Sequence, residues 1–387
     1  MRPRERRGEN GACGGSVART ASFGERGLRM SEHVEGKSKD TSVVGWLDLH
    51  FVQNSLREGL GNPELVLVEH EVLPANARGE NYASVVYKCS AKDVSGKEYR
   101  VIIKTIPTNA VRQLFCNKAE IFRKEIDMYT VVFPDYEDML LASGMKRFWA
   151  KYYYSSMDGS KDTIVLEDIK PHGFVMRERR LGLNADHLEV AMTALARYHA
   201  CSIALRLRGP EAFERKVTSR FQELLFTPDN ENMTYWLESC IKTGSKAIMD
   251  WEGDKYSRIA DKIRECGPEL QRKTWEDFRP KEGAVLNHGD FWVNNMMFKY
   301  ATPEEAETGA GKPTEVVLLD FQIARYCSPV IDLFYLMVTS VTPETRKKHW
   351  RRLVEGVYMH SLWSDIERLG HRGDIRYGRN LSVIRHI

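Results

Sequence analysis

A chain of 387 residues, 42% hydrophobic and 29% charged, is too long for a mini-protein held by staples and too apolar for a disordered chain or a fibrous repeat. At roughly 100–200 residues per domain it has room for two packed lobes. The formal charge of +3 sits at the front, where residues 1–29 carry seven Arg and three Glu, so residues 30–387 sum to −1 and the body is no polyanion binder.

The basic tail, residues 1–40, has little to bury beyond Val17, Phe23 and Leu28, and its composition predicts disorder. It lacks the apolar core of a secretory signal, and its Glu and Gly content argues against a mitochondrial presequence. Met30, followed by a polar Ser-Glu-His, is a candidate second start. No apolar run approaches the roughly 18 residues needed to cross a bilayer; the nearest, Pro329 to Val341, is broken by Asp332. Seven scattered cysteines without a Cys-x-x-Cys pair suit a reducing, cytoplasmic setting and argue against zinc.

An amphipathic helix is expected over Val44 to Leu60, then an antiparallel meander with strands Leu65–Leu73, Tyr82–Cys89 and Tyr99–Ile106, the last two joined through Asp93-Val-Ser-Gly96. Phe115, Ala119, Phe122, Ile126, Tyr129 and Phe133 recur at helical steps, and Pro134 is expected to stop that helix. A hairpin, Trp149–Ser156 and Asp162–Glu167, turns at Asp158-Gly159. Beyond Asp168 helical periods take over, beginning at an Asn184 N-cap. This predicts an α+β chain with a sheet lobe at 41–168 and a mainly helical lobe at 169–387. A Gly/Glu/Pro-rich insert, Ala301 to Thr314, reads as a surface loop.

The densest chemical signal is His288-Gly-Asp290-Phe-Trp-Val-Asn-Asn295. An Asp with an Asn five residues later is the kinase spacing, in which the Asp orients the acceptor hydroxyl and the Asn oxygen reaches Mg²⁺. After the apolar strand Val316 to Leu319 comes Asp320-Phe-Gln322, a second hard oxygen at a strand end. Lys104, in the third strand, either snorkels outward or faces a cleft and pairs with phosphate. Its candidate partner is Glu125, with Glu120 as competitor. Arg78-Gly79-Glu80-Asn81-Tyr82-Ala83-Ser84 lies where a phosphate-covering loop belongs, although one Gly is a weak signal.

These residues, with Phe122-Arg-Lys-Glu125-Ile-Asp-Met-Tyr129, Val165-Leu-Glu-Asp168, Leu195-Ala-Arg-Tyr-His-Ala200 and the Asp332-Leu333 pair, resemble the ecdysteroid kinase-like family, relatives of choline kinases and aminoglycoside phosphotransferases. The resemblance spans about residues 45–368. It implies a bilobal protein-kinase-like fold that binds ATP and Mg²⁺ in the cleft, with the hinge near Glu167 and Asp168. It also implies a small hydroxylated acceptor, an ecdysteroid or xenobiotic, with neither nucleic acid nor membrane as partner. By motif, Asp290 is the catalytic Asp, Asn295 and Asp320 are the metal ligands, and Lys104 with Glu125 anchors the phosphates beside Gly79, Asn81 and Ser84.

Two rival functions are a choline or ethanolamine kinase and a catalytically inactive nucleotide-binding scaffold. The second follows from a chain that ends in a basic, weakly periodic His371–Ile387 where the family continues through more helices. Gly289 and Gln322 stand where protein kinases have Arg and Gly, which removes the usual partner of an activation-loop phosphate and argues against switching by phosphorylation. His288 reads as a loop-fixing hydrogen-bonder, His199 as a packed core residue, and Asp332 as a brace for the catalytic loop. The basic cluster at Arg346–Arg352 reads as a solvated helix face.

Overall fold

The computed structural model describes residues 45–75, 83–159, 161–309 and 311–371. The basic tail, Gly79 and Asn81, and the 372–387 end lie outside the described residues. Helix α1 (Leu49–Leu60) starts at Asp48, whose carboxylate accepts from the Phe51 N–H at 2.8 Å. It ends on Gly61 in the left-handed conformation, φ 61°, which an L side chain rarely adopts.

Strands β1 (Leu67–Pro74), β2 (Val85–Asp93) and β3 (Glu98–Thr105) form the antiparallel meander. Asp93 builds the turn between the last two, accepting from the Ser95 and Lys97 N–H groups at 2.8 and 3.1 Å. Next come α2 (Ala110–Lys118), α3 (Ile121–Asp127) and α4 (Phe133–Ala142). The single helix expected over this stretch is broken. Glu120 takes a left-handed φ of 51°, and a five-residue π-helical turn, Met128–Val132, joins α3 to α4. Pro134 does not stop the run: the chain stays helical through Val132 and Phe133, and the π turn, in which the Phe133 N–H reaches back to the Met128 carbonyl, carries it past the proline into α4.

The hairpin β4 (Tyr152–Ser156) and β5 (Thr163–Glu167) completes a five-stranded sheet in the order β1-β2-β3-β5-β4. Because side chains alternate along a strand, Val101, Ile103 and Val165 pack under α1 with Val52 and Leu56, while Ile164 and Leu166 join the larger core on the other face. Lys104 alternates with Ile103 and therefore points to that second face.

Strand β6 (Phe174–Met176) precedes α5 (Ala185–Arg208), whose Leu188, Met192, Leu195 and Tyr198 are fully buried. Helices α6 (Pro210–Phe213), α7 (Glu231–Glu252) and α8 (Ser257–Phe278) follow. Residues Tyr235–Pro268 form one compact unit, and the remaining described residues form the other. Short strands β7 (Val285–Asn287) and β8 (Met296–Lys299) flank the loop at 288–295. The predicted surface loop at Ala301–Thr314 carries a short helix, α9 (Pro303–Thr308), capped by Thr302. Strand β9 (Glu315–Leu318) pairs with β8, and β10 (Arg325–Cys327) pairs with β7. Helices α10 (Val330–Ser340), α11 (Pro343–Arg352) and α12 (Met359–Arg368) follow, with α12 tied to α5 by Arg197 and Asp365 at 3.0 Å. The architecture is an α+β kinase-like fold. No helix among the described residues is long and apolar enough to cross a membrane.

The α5 N-cap carries a pH liability. The Asn184 amide oxygen accepts from both the His187 N–H and ring Nδ1, and His187 Nε2 faces the Tyr300 hydroxyl at 2.7 Å. Burial and then the Arg177 charge lower this imidazole from 6.5 to about 4. The unfolded chain therefore binds the extra proton first, and stability falls as pH drops from 6.5 toward 4. Between pH 7 and 5 the loss is expected to be about 2 kcal/mol. Urea melts of wild type and His187→Gln check this; equal pH slopes in the two proteins would refute it.

Candidate functional site

Two residues from the sheet side and three from the helical side meet at one place. Lys104, 7% exposed on β3, donates to Glu125 Oε2 at 2.5 Å and to Asp320 Oδ1 at 2.8 Å, joining positions 216 apart in sequence. Glu125 reaches it because α3 restarts after the left-handed Glu120, which turns Phe122, Glu125 and Ile126 inward together. Of the two candidate partners, Glu125 is the one the fold uses. Burial works against the Lys104 charge, but the Asp320 and Glu125 carboxylates outweigh it and raise the ammonium pKa above its ordinary value.

Asp320 follows β9 with φ 65°, one of two left-handed non-glycine residues among those described. Such a conformation is uncommon outside Asn and Asp, and here it aims the carboxylate at Lys104. Its side chain keeps 26% exposure, with Oδ1 engaged by the Lys104 ammonium. Phe321, the next residue, is fully buried against Tyr129 and Phe133 and so anchors the backbone beside Asp320.

The 288–295 loop is held from below by α10. The fully buried Asp332 carboxylate accepts from the His288 N–H at 2.7 Å, the Gly289 N–H at 2.9 Å and His199 Nε2 at 3.2 Å. Ser340 accepts from the Val293 N–H at 2.9 Å. His288 is a structural bridge: Nε2 lies 3.0 Å from the Leu319 carbonyl, and Nδ1 takes the Asp290 N–H at 3.3 Å. Gly289 has φ 84°, and a Cβ there would lie 2.1 Å from the Ile323 carbonyl oxygen. The Arg that protein kinases carry at this position has no room.

Within the loop, Asn295 donates its amide N–H to Asp290 Oδ2 at 2.8 Å and to the Asp290 carbonyl at 2.9 Å. That orientation leaves the Asn295 amide oxygen as a free acceptor. Burial and then the nearby Asp320 charge push the Asp290 pKa up, opposed by His288, Tyr335 and Asn295.

Tyr335, which sequence reasoning missed, hydrogen-bonds Asp290. The available signal was its spacing, three residues after Asp332 on the same helix. His199 is buried as expected for a core residue, yet it is polar wiring, linking Asp332 to the Tyr358 hydroxyl at 2.8 Å.

The other nominated residues stand apart from this cluster. Glu167 accepts from the Lys151 N–H at 3.1 Å and pairs with His172 at 3.1 Å, on the α1 side of the sheet by strand alternation from Val165. Asp168 caps the following turn, taking the Lys170 N–H at 3.0 Å. Ser84 is buried just before β2. Among the described residues, no group of three or more His, Cys, Asp or Glu is arranged to hold a metal ion.

Residues 78–371 match the ecdysteroid kinase-like family. No curated protein is significantly similar in sequence. Solved structures that are similar include two of one enzyme. One is the aminoglycoside phosphotransferase APH(3'')-Id from Streptomyces rimosus, at 14% identity over 87% of this chain and 97% of that one, TM-score 0.29. The other is the same phosphotransferase in complex with ADP and streptomycin, at 14% identity over 88% and 98%, TM-score 0.30.

Proposed function

The chain belongs to the ecdysteroid kinase-like family, and from that membership and the geometry above we propose an ATP- and Mg²⁺-dependent kinase. It transfers the γ-phosphoryl group to a hydroxyl of a small steroid-like or xenobiotic molecule. The observation that carries the reading is the Lys104 ammonium held between Glu125 and Asp320, with the hydrogen-bonded Asp290–Asn295 pair near enough for the Asp320 charge to act on Asp290. In this reading residues 41–168 form the nucleotide lobe and 169–387 the catalytic lobe. The cysteines described are all free, which fits a cytoplasmic protein.

Asn295 and Asp320 fit a divalent cation. Each presents one hard oxygen to which no donor among the described residues is bonded, and Mg²⁺ commonly takes one or two such groups, completing its shell with phosphate oxygens and water. When bound, the ion neutralises charge on the transferring phosphoryl group. Lys104 binds the nucleotide phosphates, and Glu125 fixes its direction. Asp290 orients the acceptor hydroxyl and takes up its proton, with its carboxylate steadied by Asn295 and Tyr335.

The test is transfer of labelled γ-phosphate to a panel of ecdysteroids, choline and aminoglycosides, with and without magnesium. Magnesium-dependent labelling of an acceptor is expected, and no transfer to any member would count against the proposal. Lys104→Arg keeps the charge but replaces a point donor by a planar fork. It should raise KM for ATP by about tenfold, equivalent to about 1.4 kcal/mol; an unchanged KM moves the phosphate-binding role to another residue.

A further inference from the structure

We propose that the segment 220–226 is a strap that positions α3, with Lys124 as the residue through which it keeps Glu125 turned toward Lys104. This rests on the reading of Lys104 and Glu125 as the pair that holds the nucleotide phosphates.

Helix α3 is only seven residues long, a length at which a helix does not hold its own course in water. The left-handed Glu120 cuts it off from α2, and the π turn interrupts its regular hydrogen bonding into α4, so its roll about its own axis is set by what its side chains hold. At about 100° per residue, Lys124 and Asp127 point to one side and Glu125 to another. The Glu125 side is held by Lys104. The other side is held by the strap: Lys124, 3% exposed, donates to the Gln222 carbonyl at 2.6 Å, and Asp127 pairs with Arg220 at 3.0 Å. With that side released, the helix can roll about the remaining bond and carry Glu125 off Lys104.

The strap is in turn fixed to the chain that follows Asp320. The Phe221 carbonyl accepts from the Tyr326 N–H at 2.8 Å, and the Phe221 side chain is fully buried. Glu223 takes the Leu225 and Phe226 N–H groups on one oxygen, at 2.6 and 2.8 Å, and Arg325 on the other, at 2.8 Å. The Arg325 guanidinium lies over the Phe278 ring at 4.4 Å. One short segment therefore touches both the helix that carries Glu125 and the strand β10 that begins five residues after Asp320. Those are the two carboxylates that grip Lys104.

A side chain that only filled space beside the strap would be apolar. Burial, and then the Arg325 charge, push the Lys124 ammonium down to about 8, against the attraction of Glu223 and Glu120. That value lies below the ordinary one, so at pH 7 the buried charge destabilises the fold. What the ammonium supplies is one directed, charge-assisted bond between α3 and the strap.

The first measurement is amide hydrogen exchange in the full chain without nucleotide, which does not depend on turnover. Lys124→Met fills the same space without the buried charge and cannot donate. Amides of α3 are expected to exchange about tenfold faster in the variant, while those of α5 keep their wild-type rates. The second measurement is the Kd for ATP by calorimetry. Lys124→Met should raise it by about tenfold in the wild-type background and leave it unchanged beside Glu125→Gln, because the effect passes through Glu125.

Unchanged α3 exchange overturns the proposal, as does an equal acceleration in α5, which would make Lys124 a general stabiliser. An equal loss of ATP affinity in both backgrounds also overturns it, since Lys124 would then act without Glu125. Should Lys124→Met fail to fold, Arg220→Gln, which cuts the half-exposed second tether, replaces it with the same expected and contrary results. ATP titrated into wild type is the separate control: absent ATP binding defeats the kinase reading, while α3 exchange still decides the role of the strap.

Discussion

Asp290→Asn is expected to cut phosphoryl transfer by about 10²–10⁴-fold, the usual contribution of a positioned proton acceptor, while ATP affinity stays near the wild-type value. The amide keeps the shape and can still meet Tyr335, so the loss isolates the carboxylate. The sign of its effect on stability is equally specific. Burial, then the Asp320 charge, raises the Asp290 pKa in the folded state. A carboxylate with a raised folded pKa takes up its proton more readily folded than unfolded, so this group destabilises the fold at neutral pH and does so less as pH falls through the raised value. A neutral isostere removes that penalty, and Asp290→Asn should melt at or above the wild-type temperature. Activity of the wild type should decline as pH falls through the same raised value, because only the ionised form accepts the hydroxyl proton. A variant that keeps wild-type turnover, or that loses activity only by unfolding, would sink the assignment.

The residues that could be read from sequence carry a local signal, a spacing or a period, even where their partners lie far along the chain, as Asp320 does from Lys104. The five-residue step from Asp290 to Asn295 lies on a single turn of loop, and the structure closes it with a 2.8 Å hydrogen bond. Lys104 stood out as a charge flanked by apolar strand residues, with an outward or a cleft-facing direction both open, and the helical period around Phe122 and Ile126 put Glu125 near the apolar side. Contacts set by tertiary packing were hidden. Glu120 takes a left-handed backbone in the middle of a helical pattern that has no glycine, so nothing local marked the break. Pro134 looked like a stop because the π turn that carries the helix past it follows no residue signal. Tyr335 went unnoticed and His199 read as core because their polar partners, Asp290 and Asp332, lie on elements more than 40 residues away. The phosphate-loop candidates Gly79 and Asn81 lie outside the described residues, and Ser84 sits at their edge.

Asp332→Asn should do the opposite of Asp290→Asn, although the chemical change is the same. Asp332 is as buried as any residue in the chain, and burial alone would raise its pKa. Its value is nevertheless lowered, because the His199 hydrogen bond and charge, the His288 charge and the Gly289 N–H all favour the ionised form. Both oxygens receive donors, at 2.7, 2.9 and 3.2 Å. An amide in this place turns an NH₂ toward at least one of those N–H groups and leaves a buried donor unmatched, at about 1–3 kcal/mol, while removing a charge from a buried pair can bring the total to about 3–5 kcal/mol. With the folded pKa depressed, the contribution of Asp332 is present above the unfolded carboxylate value and is lost as pH falls through the folded one. Denaturant melts at pH 7 should therefore show Asp332→Asn less stable than wild type by several times the experimental error, and its turnover should fall as well, since Asp290 follows the two N–H groups it holds. Stability within about 1 kcal/mol of wild type would mean that the loop is fixed by Ser340 and His288 alone. The two Asp→Asn changes, 42 residues apart in sequence and linked through the His288 and Gly289 N–H groups, thus read out two environments of opposite design: one that holds a carboxylate ready to gain a proton, and one that keeps a carboxylate charged to hold the first in place.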